Sequence, residues 1–311
     1  MRVIEVRPEG LYCAAGDFYV DPWAPVERAV ITHAHTDHAC PGSRNYLTAR
    51  DGAALLRERI GPEGTIQAVD YGERAGLVSL HPAGHILGSA QVRIEHAGEV
   101  WVVSGDYKLA PDPTCAPFEP VSCHTFVTES TFGLPIFRWP AENDVMTAIH
   151  DWWRANQEIG KTSVLFAYAL GKAQRVLAGI DPAIGKVSVH PIVERYNRIY
   201  REQGIALPDG AAEGGTLTIA PPGMEQRGAR ISTAMVSGWM RIRGTRRRRS
   251  LDRGFVLSDH ADWPELLRAI DATGAEKVWV THGQRAPLVR WLQEHGRQAV
   301  AVEGHFEEPE Q

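Results

Sequence analysis

The sequence predicts an α/β fold, an αββα sandwich with a smaller α/β module inserted into it. Three features indicate this class. Short apolar runs bounded by turn residues recur through residues 1–133 and are typical of strands, with few helices between them. His or Asp residues stand directly after several of these runs. Helical spacing becomes frequent over residues 134–245, after which apolar runs that end in His or Asp return.

The composition is that of a soluble globular protein. The chain has 311 residues, of which 43% are hydrophobic and 23% charged, enough for a large buried core. No apolar run approaches the length of a membrane span and the start lacks a signal-peptide pattern, so we expect a cytoplasmic protein without membrane contact. The four cysteines form no CxxC pair, which favours free thiols, with a Cys115–Cys123 disulfide as the alternative.

Arginines are concentrated in one short segment of an acidic chain. The net charge is −5, but residues 241–253 hold seven arginines and one aspartate, a local charge of +6 that leaves −11 for the remainder. This segment predicts a nucleic-acid-binding patch, and a mobile, solvated loop is the alternative. The patch residues are Arg243, Arg246, Arg247, Arg248 and Arg249.

The elements of the first part follow from local patterns. Residues 1–22 alternate around a turn and predict a hairpin, and the run 29–31 predicts a short buried strand. Residues 49–60 have helical spacing. Further strands are predicted at 65–69, 75–80, 91–96, 99–103 and 121–128.

The segment after the run 29–31 reads THAHTDH, so His33, His35, Asp37 and His38 fall within six positions. In extended backbone His33 and His35 share a face, whereas Asp37 and His38 diverge after the turn and can serve a second metal. Imidazole and carboxylate together suit zinc, or manganese as the share of oxygen rises. The alternative is a solvated loop that happens to be rich in His.

Two further candidate metal ligands, a His and an Asp, lie downstream in the sequence. His85 stands in AGHILGSA, and Asp106 follows the predicted strand 99–103. The ordered set resembles the metallo-β-lactamase superfamily. The resemblance implies an αββα metallo-β-lactamase sandwich whose cofactors are two divalent metal ions, Zn or Mn. It also implies that Asp21 orients a ligand histidine, although a turn aspartate before proline is the alternative.

The inserted module alternates strands and helices. Helices are predicted at 143–156 and 191–204, and strands at 163–168, 187–190, 216–220 and 234–236. The stretch ALGKAQR, which contains Lys172, loosely resembles a phosphate-binding turn but lacks the Walker spacing. On this loose resemblance to a phosphate-binding turn, Lys172 is assigned to nucleic-acid binding, together with the arginine patch.

Three further motifs complete the set. Glu129 stands in TESTFG, His260 in SDHAD after the predicted strand 254–257, and His282 in THG after the strand 277–280. They resemble the extra motifs of the β-CASP nucleases, and the chain is identified as a member of that group. Residues 1–133 and 246–311 would form the metallo-β-lactamase domain, and 134–245 the β-CASP cap.

The stretches TESTFG, YALGKAQR, SGWM and THGQ and the short cap are most similar to the bacterial ligase-associated DNA exonuclease family. This resemblance implies a DNA exonuclease in DNA repair, with 5′→3′ polarity and functional association with a DNA ligase and a helicase. One residue departs from it. Histidine at the third extra motif, here His282, accompanies RNA substrates in the wider group, so an RNA-processing ribonuclease of the mRNA 3′-end type is the alternative.

The resemblance also assigns roles. His33, His35 and His85 would hold one metal, Asp37, His38 and His282 the other, and Asp106 would bridge them. Two such ions clamp a phosphodiester and activate a hydroxide for in-line attack, a catalytic step in which Asp37 also takes part. His260 would protonate the leaving 3′ oxygen, with Glu129 fixing its tautomer and favouring its charged form. A purely structural His260 is the alternative.

Two other classes of function remain. A small-molecule hydrolase such as a lactamase or thioesterase shares the metal loop but lacks the inserted module and the Glu129–His260 pair. A non-catalytic nucleic-acid-binding scaffold is disfavoured by the complete ligand set. Asp262 either caps the helix that begins at Trp263-Pro264 or orients a neighbour.

Overall fold

The computed structural model describes residues 3–211, 213–224, 230–242 and 244–304. They form a mixed α/β fold, which confirms the predicted class. The chain divides into a larger unit, Met1–Pro135 with His260–Gln311, and a smaller unit, Ile136–Asp259. No helix of the described residues is both long and apolar enough to cross a membrane. All four cysteines are free thiols, as predicted.

Two sheets form the larger unit, with strands and helices numbered in chain order. Among the described residues the first sheet contains, from edge to edge, β1 (Glu5–Arg7), β2 (Gly10–Cys13), β3 (Phe18–Val20), β4 (Arg28–Val30), β5 (Asn45–Ala49) and β6 (Thr65–Val69). The second contains, within the same described part, β18 (Gln298–Ala301), β17 (Lys277–Val280), β11 (Thr125–Thr128), β10 (Glu99–Val103), β9 (Ala90–His96), β8 (Val78–Pro82) and β7 (Arg74–Ala75).

The core of the larger unit lies between these two sheets. Three alternating residues of β9, namely Ala90, Val92 and Ile94, pack in one buried cluster with residues of the first sheet such as Leu11 and Val30. This is the period of two that a half-buried strand requires. Burial of these side chains is the main force that holds the two sheets together.

Helices cover the outer faces of the sheets. Leu56 of α1 (Ala53–Ile60) packs with Tyr46 of the first sheet. Leu266 of α6 (Trp263–Thr273) and Leu288 of α7 (Arg285–Glu294) pack with Phe126 of the second sheet. The layers therefore run helix, sheet, sheet, helix. Asp262 caps α6, because its side chain accepts the N–H of Glu265 at 2.9 Å.

The smaller unit is built on one parallel sheet. Among its described residues the strands lie in the order β13 (Val187–Val189), β14 (Leu217–Ala220), β12 (Thr162–Phe166), β15 (Ile231–Val236) and β16 (Arg253–Phe255). Its helices are α2 (Glu142–Glu158), α3 (Lys172–Gly179), α4 (Pro191–Glu202) and α5 (Thr245–Arg248). Parallel strands need crossover connections, and the helices supply most of them.

The structure differs from the sequence prediction in several places. Residues 45–49 form β5, where the sequence suggests no strand, and the helix predicted at 49–60 begins as a 3₁₀ turn, Arg50–Gly52, before α1. The predicted strand 254–257 is β16, and it pairs with β15 of the smaller unit. Residues 246–259 therefore lie in the smaller unit, whereas the sequence analysis places them in the larger domain.

Parallel pairing brings the site motifs to the carboxyl ends of strands. β10, β11 and β17 are parallel neighbours, and Asp106, Glu129 and His282 follow them. His33 follows β4 in the other sheet. Carboxyl ends of parallel strands meet at one edge of a sheet, which is where open α/β sheets form their sites.

The loop that carries His85 depends on a close approach of two glycines. Gly88 has a φ of +74°, and a Cβ there would lie 2.1 Å from the Cα of Gly52. Gly98 in the β9–β10 hairpin has a similar φ, +82°, with nothing within 4 Å of a Cβ.

The two glycines allow a matched test of this contact. Gly98→Ala should cost about 1–2 kcal/mol of unfolding free energy from its backbone conformation alone. Gly88→Ala should cost roughly 3 kcal/mol or more, because the methyl group also displaces the backbone of Gly52. Urea unfolding measures both. Equal losses would show that the Gly52 contact relaxes freely.

Candidate metal centre

A turn after β4 gathers four of the predicted ligands. Ile31 extends the strand by donating its N–H to Leu47 O at 2.8 Å. The carbonyl of His35 then accepts the N–H groups of His38 and Ala39 at 3.2 and 2.9 Å. These bonds fold residues 33–38 back on themselves, so ligands that are adjacent in sequence come to face two different groups of side chains.

The first group consists of His33, His35, His85 and Asp106, whose ligand atoms lie within 4.8 Å of one another. His35 Nδ1 lies 3.0 Å from His33 Nε2 and 3.1 Å from His85 Nε2. Asp106 Oδ2 lies 3.5 Å from His33 Nε2 and 3.7 Å from His85 Nε2. Atoms bound at about 2.1 Å to one tetrahedral or octahedral ion lie about 3.0–3.4 Å apart, so the group has nearly the dimensions of a metal site.

The second group consists of Asp37, His38 and His282. His38 Nε2 lies 3.6 Å from Asp37 Oδ2, and the rings of His38 and His282 stack with centroids 4.9 Å apart. His38 Nε2 also lies 3.4 Å from Asp106 Oδ2. The Asp106 carboxylate therefore lies against both groups, where a bridging ligand would be.

Two buried atoms show that this donor set fits a cation. His38 Nε2 and Asp106 Oδ1 make no hydrogen bond with any described residue. Buried polar atoms are nearly always paired, and an unpaired one costs free energy. Both atoms are donors to divalent metals, so a bound ion would satisfy them.

Burial and the surrounding charges set the protonation of the cluster. Burial holds the pKa of His33 well below its ordinary value and lowers that of His282 to about 4, so both rings are neutral near pH 7, the form that binds metals. Burial opposes the charged form of His38, but the Asp106 and Asp37 carboxylates outweigh it and raise the pKa well above normal. A positive charge is thus favoured at the centre of the cluster.

Asp106 and Asp37 carry the matching negative charge. Burial favours the neutral form of Asp106, but His38 and His260 outweigh it and hold the pKa well below its ordinary value. Burial likewise acts against ionisation of Asp37, and the charge on His38 lowers its pKa overall. Both carboxylates are therefore ionised near pH 7 and can bind cations.

Three of the predicted ligand histidines are held from behind through their other ring nitrogen. His38 Nδ1 lies 2.7 Å from Asp21 Oδ2, and His33 Nδ1 lies 3.1 Å from Thr32 Oγ1. His282 Nδ1 lies 3.0 Å from the hydroxyl of Thr281. Such partners fix ring orientation and tautomer, and leave Nε2 to face the cluster.

Among the side chains behind the ligand histidines, Asp21 contacts both Thr32 and His38. Its carboxylate accepts the N–H and the hydroxyl of Thr32 at 2.8 and 2.5 Å, in addition to its contact with His38. Its own N–H donates to Val30 O at 3.0 Å, and its φ is +44°. A left-handed aspartate is uncommon, and here it directs the carboxylate toward the start of the metal loop.

His260 and Glu129 form a pair beside the first group. His260 Nδ1 lies 3.0 Å from Glu129 Oε2 and 3.9 Å from Asp106 Oδ2. Glu129 is fully buried, which raises its pKa although His260 lowers it, and its Oε1 accepts the N–H of Tyr107 at 2.8 Å. The contact with Glu129 fixes the orientation of the His260 ring beside Asp106.

The segment after Asp106 ties these elements together. The carbonyl of Tyr107 accepts the N–H of Ala261 at 2.7 Å, next to His260. Lys108 is buried and lies 3.7 Å from Glu265 at the start of α6. Glu265 also accepts the N–H of Ala110 at 2.9 Å. The segment therefore couples the position of Asp106 to that of His260.

His282 occupies a strained backbone position that its neighbours maintain. Its φ is +48°, a conformation that costs of order 1 kcal/mol or more for a residue with a Cβ. The hydroxyl of Ser130 hydrogen-bonds the carbonyls of Thr281 and His282, and Gln284 donates its N–H to Ser130 O at 2.8 Å. The next residue, Gly283, has no room for a side chain, because a Cβ there would lie 2.4 Å from Ser130 O.

The residues predicted to bind nucleic acid fall into three situations. Lys172 is buried and its Nζ lies 2.7 Å from Asp259 Oδ1, so its charge faces a carboxylate within the smaller unit and is not presented to a phosphate. Arg246, Arg247, Arg248 and Arg249 are exposed. Arg243 lies outside the described residues.

Several residues of the site give no signal in the sequence. Thr32, Ser130 and Thr281 act through hydroxyl groups, and Tyr107 acts through its backbone N–H. Thr32, Ser130 and Thr281 do stand within or beside recognisable motifs, which is the one clue that the sequence offers. Glu265 has a local role as the partner of Asp262 in a capping box, and that role masks its contact with the 108–110 segment.

The chain matches no protein-family model. It is 32% identical over 309 residues to a probable DNA ligase of Opitutus terrae, covering 94% of this chain and 30% of that protein. It is 29% identical to the RNase aCSPSF2 of Saccharolobus solfataricus over 49% of this chain, and 25% identical to an RNase J-like protein of Methanocaldococcus jannaschii over 54%. The chain spans 30%, 38% and 47% of the lengths of these relatives.

The fold is also similar to a crystal structure of a protein of unknown function from Enterococcus faecalis V583. The TM-score is 0.57 with 12% identity, covering 90% of this chain and 80% of that one, which shows a likeness of fold alone. Of the three curated relatives, one is named as a probable DNA ligase, one as an RNase and one as an RNase J-like protein. The larger unit carries the candidate His and Asp clusters for divalent metals.

Single ligand substitutions test the metal assignment. His35→Ala and Asp106→Ala should each lower bound metal, because His35 belongs to one group and Asp106 lies against both. Elemental analysis of the purified protein should find near two equivalents of metal in the parent and clearly fewer in each variant, with the fold retained by circular dichroism. His96→Ala, on β9 and outside both groups, is the control. Unchanged metal content in both ligand variants would overturn the assignment.

Proposed function

We propose that this protein is a two-metal phosphodiesterase that acts on DNA as an exonuclease in DNA repair. One observation carries the proposal: the Asp106 carboxylate oxygen Oδ2 lies within 3.4–3.9 Å of four histidines that belong to three separate motifs. In this proposal the larger unit is a metallo-β-lactamase sandwich and the smaller unit is a β-CASP cap.

The proposed ligands would be divided between two metal ions in the same way as the two groups of His and Asp side chains. His33, His35 and His85 would hold one ion, Asp37, His38 and His282 the other, and Asp106 both. Two bound ions, zinc or manganese, would supply an activated water at neutral pH and neutralise charge on the phosphate. Asp21, Thr32 and Thr281 would orient the rings, and Asp37 would contribute to catalysis from its place in the second group.

His260 would be the general acid that protonates the leaving 3′ oxygen. The departing 3′ oxygen has a pKa far above 7, so a positioned donor is worth about 10²–10⁴ in rate. Glu129 would hold the proton on Nδ1 and stabilise the charged ring, which leaves the Nε2 proton for the leaving group. The 3.0 Å contact between the two side chains supports this division of roles.

DNA is the preferred substrate in this proposal. The relative that covers 94% of this chain is a probable DNA ligase, and the match takes in 30% of it. A segment carried within such a protein would work on the same nucleic acid as the ligase, which supports a functional association with a DNA ligase. Association with a helicase is part of the proposal and rests on the resemblance of the motifs. Polarity from 5′ to 3′ is part of the proposal.

RNA is the second candidate because other relatives are named as RNases. His282 at the third extra motif favours the same class. Those matches cover about half of this chain, and for this reason DNA ranks first.

Digestion of end-labelled strands separates the two candidates. We expect cleavage of DNA in the presence of zinc or manganese, with mononucleotides released from the 5′ end and no cleavage after chelation. A matched RNA strand should be cut more slowly. Cleavage of RNA about a hundredfold faster than DNA, which is a difference of about 2.7 kcal/mol in activation free energy, would replace DNA with RNA as the substrate.

His260→Ala tests the acid. The variant should keep both metals but lose about 10²-fold or more in kcat on an ordinary phosphodiester. Hydrolysis of bis(p-nitrophenyl) phosphate should be nearly unchanged, because nitrophenolate leaves without a proton.

Glu129→Gln is the companion variant, since its amide oxygen can still accept the Tyr107 N–H. It should show a smaller loss on the ordinary ester than His260→Ala does. Equal losses on both esters in His260→Ala would make His260 a residue that positions the metals or the phosphate, and loss of bound metal would make it a ligand.

A further inference from the structure

The arginine-rich connection between β15 and β16 borders a cavity in the smaller unit that is open to solvent. The cavity has a volume of about 500 Å³, in the range of ligand-binding sites. Arg246, Arg247 and Arg253 supply its charged wall. Met240, Ile242, Gly244 and Gly254 supply the remainder. Arg248 and Arg249 belong to the same run but do not line it.

The backbone that presents these arginines is ordered by its own hydrogen bonds. Arg248 donates its N–H to Gly244 O at 3.0 Å, and Leu251 donates to Arg246 O at 3.1 Å. Leu251 and Met240 pack against a buried cluster of the smaller unit. The described arginines therefore project from a hydrogen-bonded turn that packs against the unit.

The single aspartate of the segment does not neutralise the arginines. Asp252 Oδ2 accepts the backbone N–H of Thr233 at 2.8 Å and its hydroxyl at 3.3 Å, so it fastens the turn to β15. Within the described part of the chain, Arg246, Arg247 and Arg253 form no ion pair with a carboxylate. Three positive charges thus face one cavity without an acidic partner there.

The shape of the guanidinium group indicates the ligand. Arginine binds phosphate through paired, charge-assisted N–H bonds and does so better than lysine in a fixed geometry. Arg246 is steadied by a bond from its Nη1 to Asp252 O at 3.0 Å, which leaves its other donors available to a ligand. The apolar side chains of Met240 and Ile242 suit the less polar sugar or base that is attached to a phosphate.

We propose that this cavity binds a backbone phosphate of the nucleic-acid strand, through Arg246, Arg247 and Arg253. The identity of the ligand as a nucleic acid rests on the proposed function. The site lies in the smaller unit and the metal cluster in the larger one. It therefore contributes strand affinity through contacts separate from those at the scissile phosphate.

Two double variants of equal charge test the proposal. Arg247→Gln/Arg253→Gln removes two cavity arginines and keeps the bond from Arg246 to Asp252. Arg248→Gln/Arg249→Gln removes two exposed arginines of the same run that do not line the cavity. The ligand is a labelled phosphorothioate strand of about 20 nucleotides, longer than a typical single-strand site and resistant to hydrolysis with metals bound.

The cavity variant should bind the strand about tenfold or more weakly, since a charge-assisted contact to phosphate is lost. The slope of log K against log salt should fall by about 0.7 for each phosphate contact removed. The control variant should change affinity less than about threefold, as expected for screened surface charge. Equal losses in the two variants would overturn the proposal and leave only diffuse attraction to the run. An unchanged affinity in the cavity variant would do the same.

Hydrolysis of bis(p-nitrophenyl) phosphate separates this proposal from the proposed function. The small ester carries no second phosphate, so its hydrolysis by the parent protein reports on the metal cluster and not on the cavity. If the parent protein cannot hydrolyse it, the proposed function fails, whereas the binding comparison still decides whether the cavity holds phosphate. Arg246→Lys/Arg247→Lys/Arg253→Lys retains the charge and should recover part of the affinity, which excludes a folding defect as the cause.

Discussion

The buried carboxylate of Asp106 is the interaction on which the candidate site depends. One oxygen lies 3.4 Å from His38, 3.5 Å from His33, 3.7 Å from His85 and 3.9 Å from His260. A charge removed from water in this way is costly unless opposite charge surrounds it. The protein meets the requirement by bringing histidines from separate chain segments to one point, and a divalent cation would meet it more fully.

Much of the surrounding structure serves to hold that arrangement. Hydroxyl and carboxylate groups bind the outer nitrogens of His33, His38 and His282, so the rings cannot turn away. Glycine permits the closest approaches. A Cβ on Gly84 would lie 2.2 Å from Lys108 O, and one on Gly105 would lie 2.6 Å from the side chain of Thr32. The second layer is therefore as specific in geometry as the ligands themselves.

Asp106 also joins two kinds of chemistry. It lies against the His and Asp groups that fit metals and against His260, which is paired with Glu129. The segment 107–110 then links the same carboxylate to the start of α6 through Tyr107 and Lys108. Metal binding and proton donation would thus share one rigid support. In the smaller unit, by contrast, Arg246, Arg247 and Arg253 line one cavity and form no ion pair with a carboxylate of the described residues.

The sequence by itself determined the α/β class of the fold and singled out the residues of the candidate site. These features are local: strand runs have a period of two, and a His or Asp directly after a strand must lie at that strand's end. The capping role of Asp262 is local for the same reason. Only the tertiary structure decided which sheet a strand joins, as with β16, because an apolar strand carries no mark of its neighbours. It also decided that Lys172 faces Asp259 whereas Arg247 faces a cavity, since the partner of a charge is chosen by packing between residues far apart in the chain.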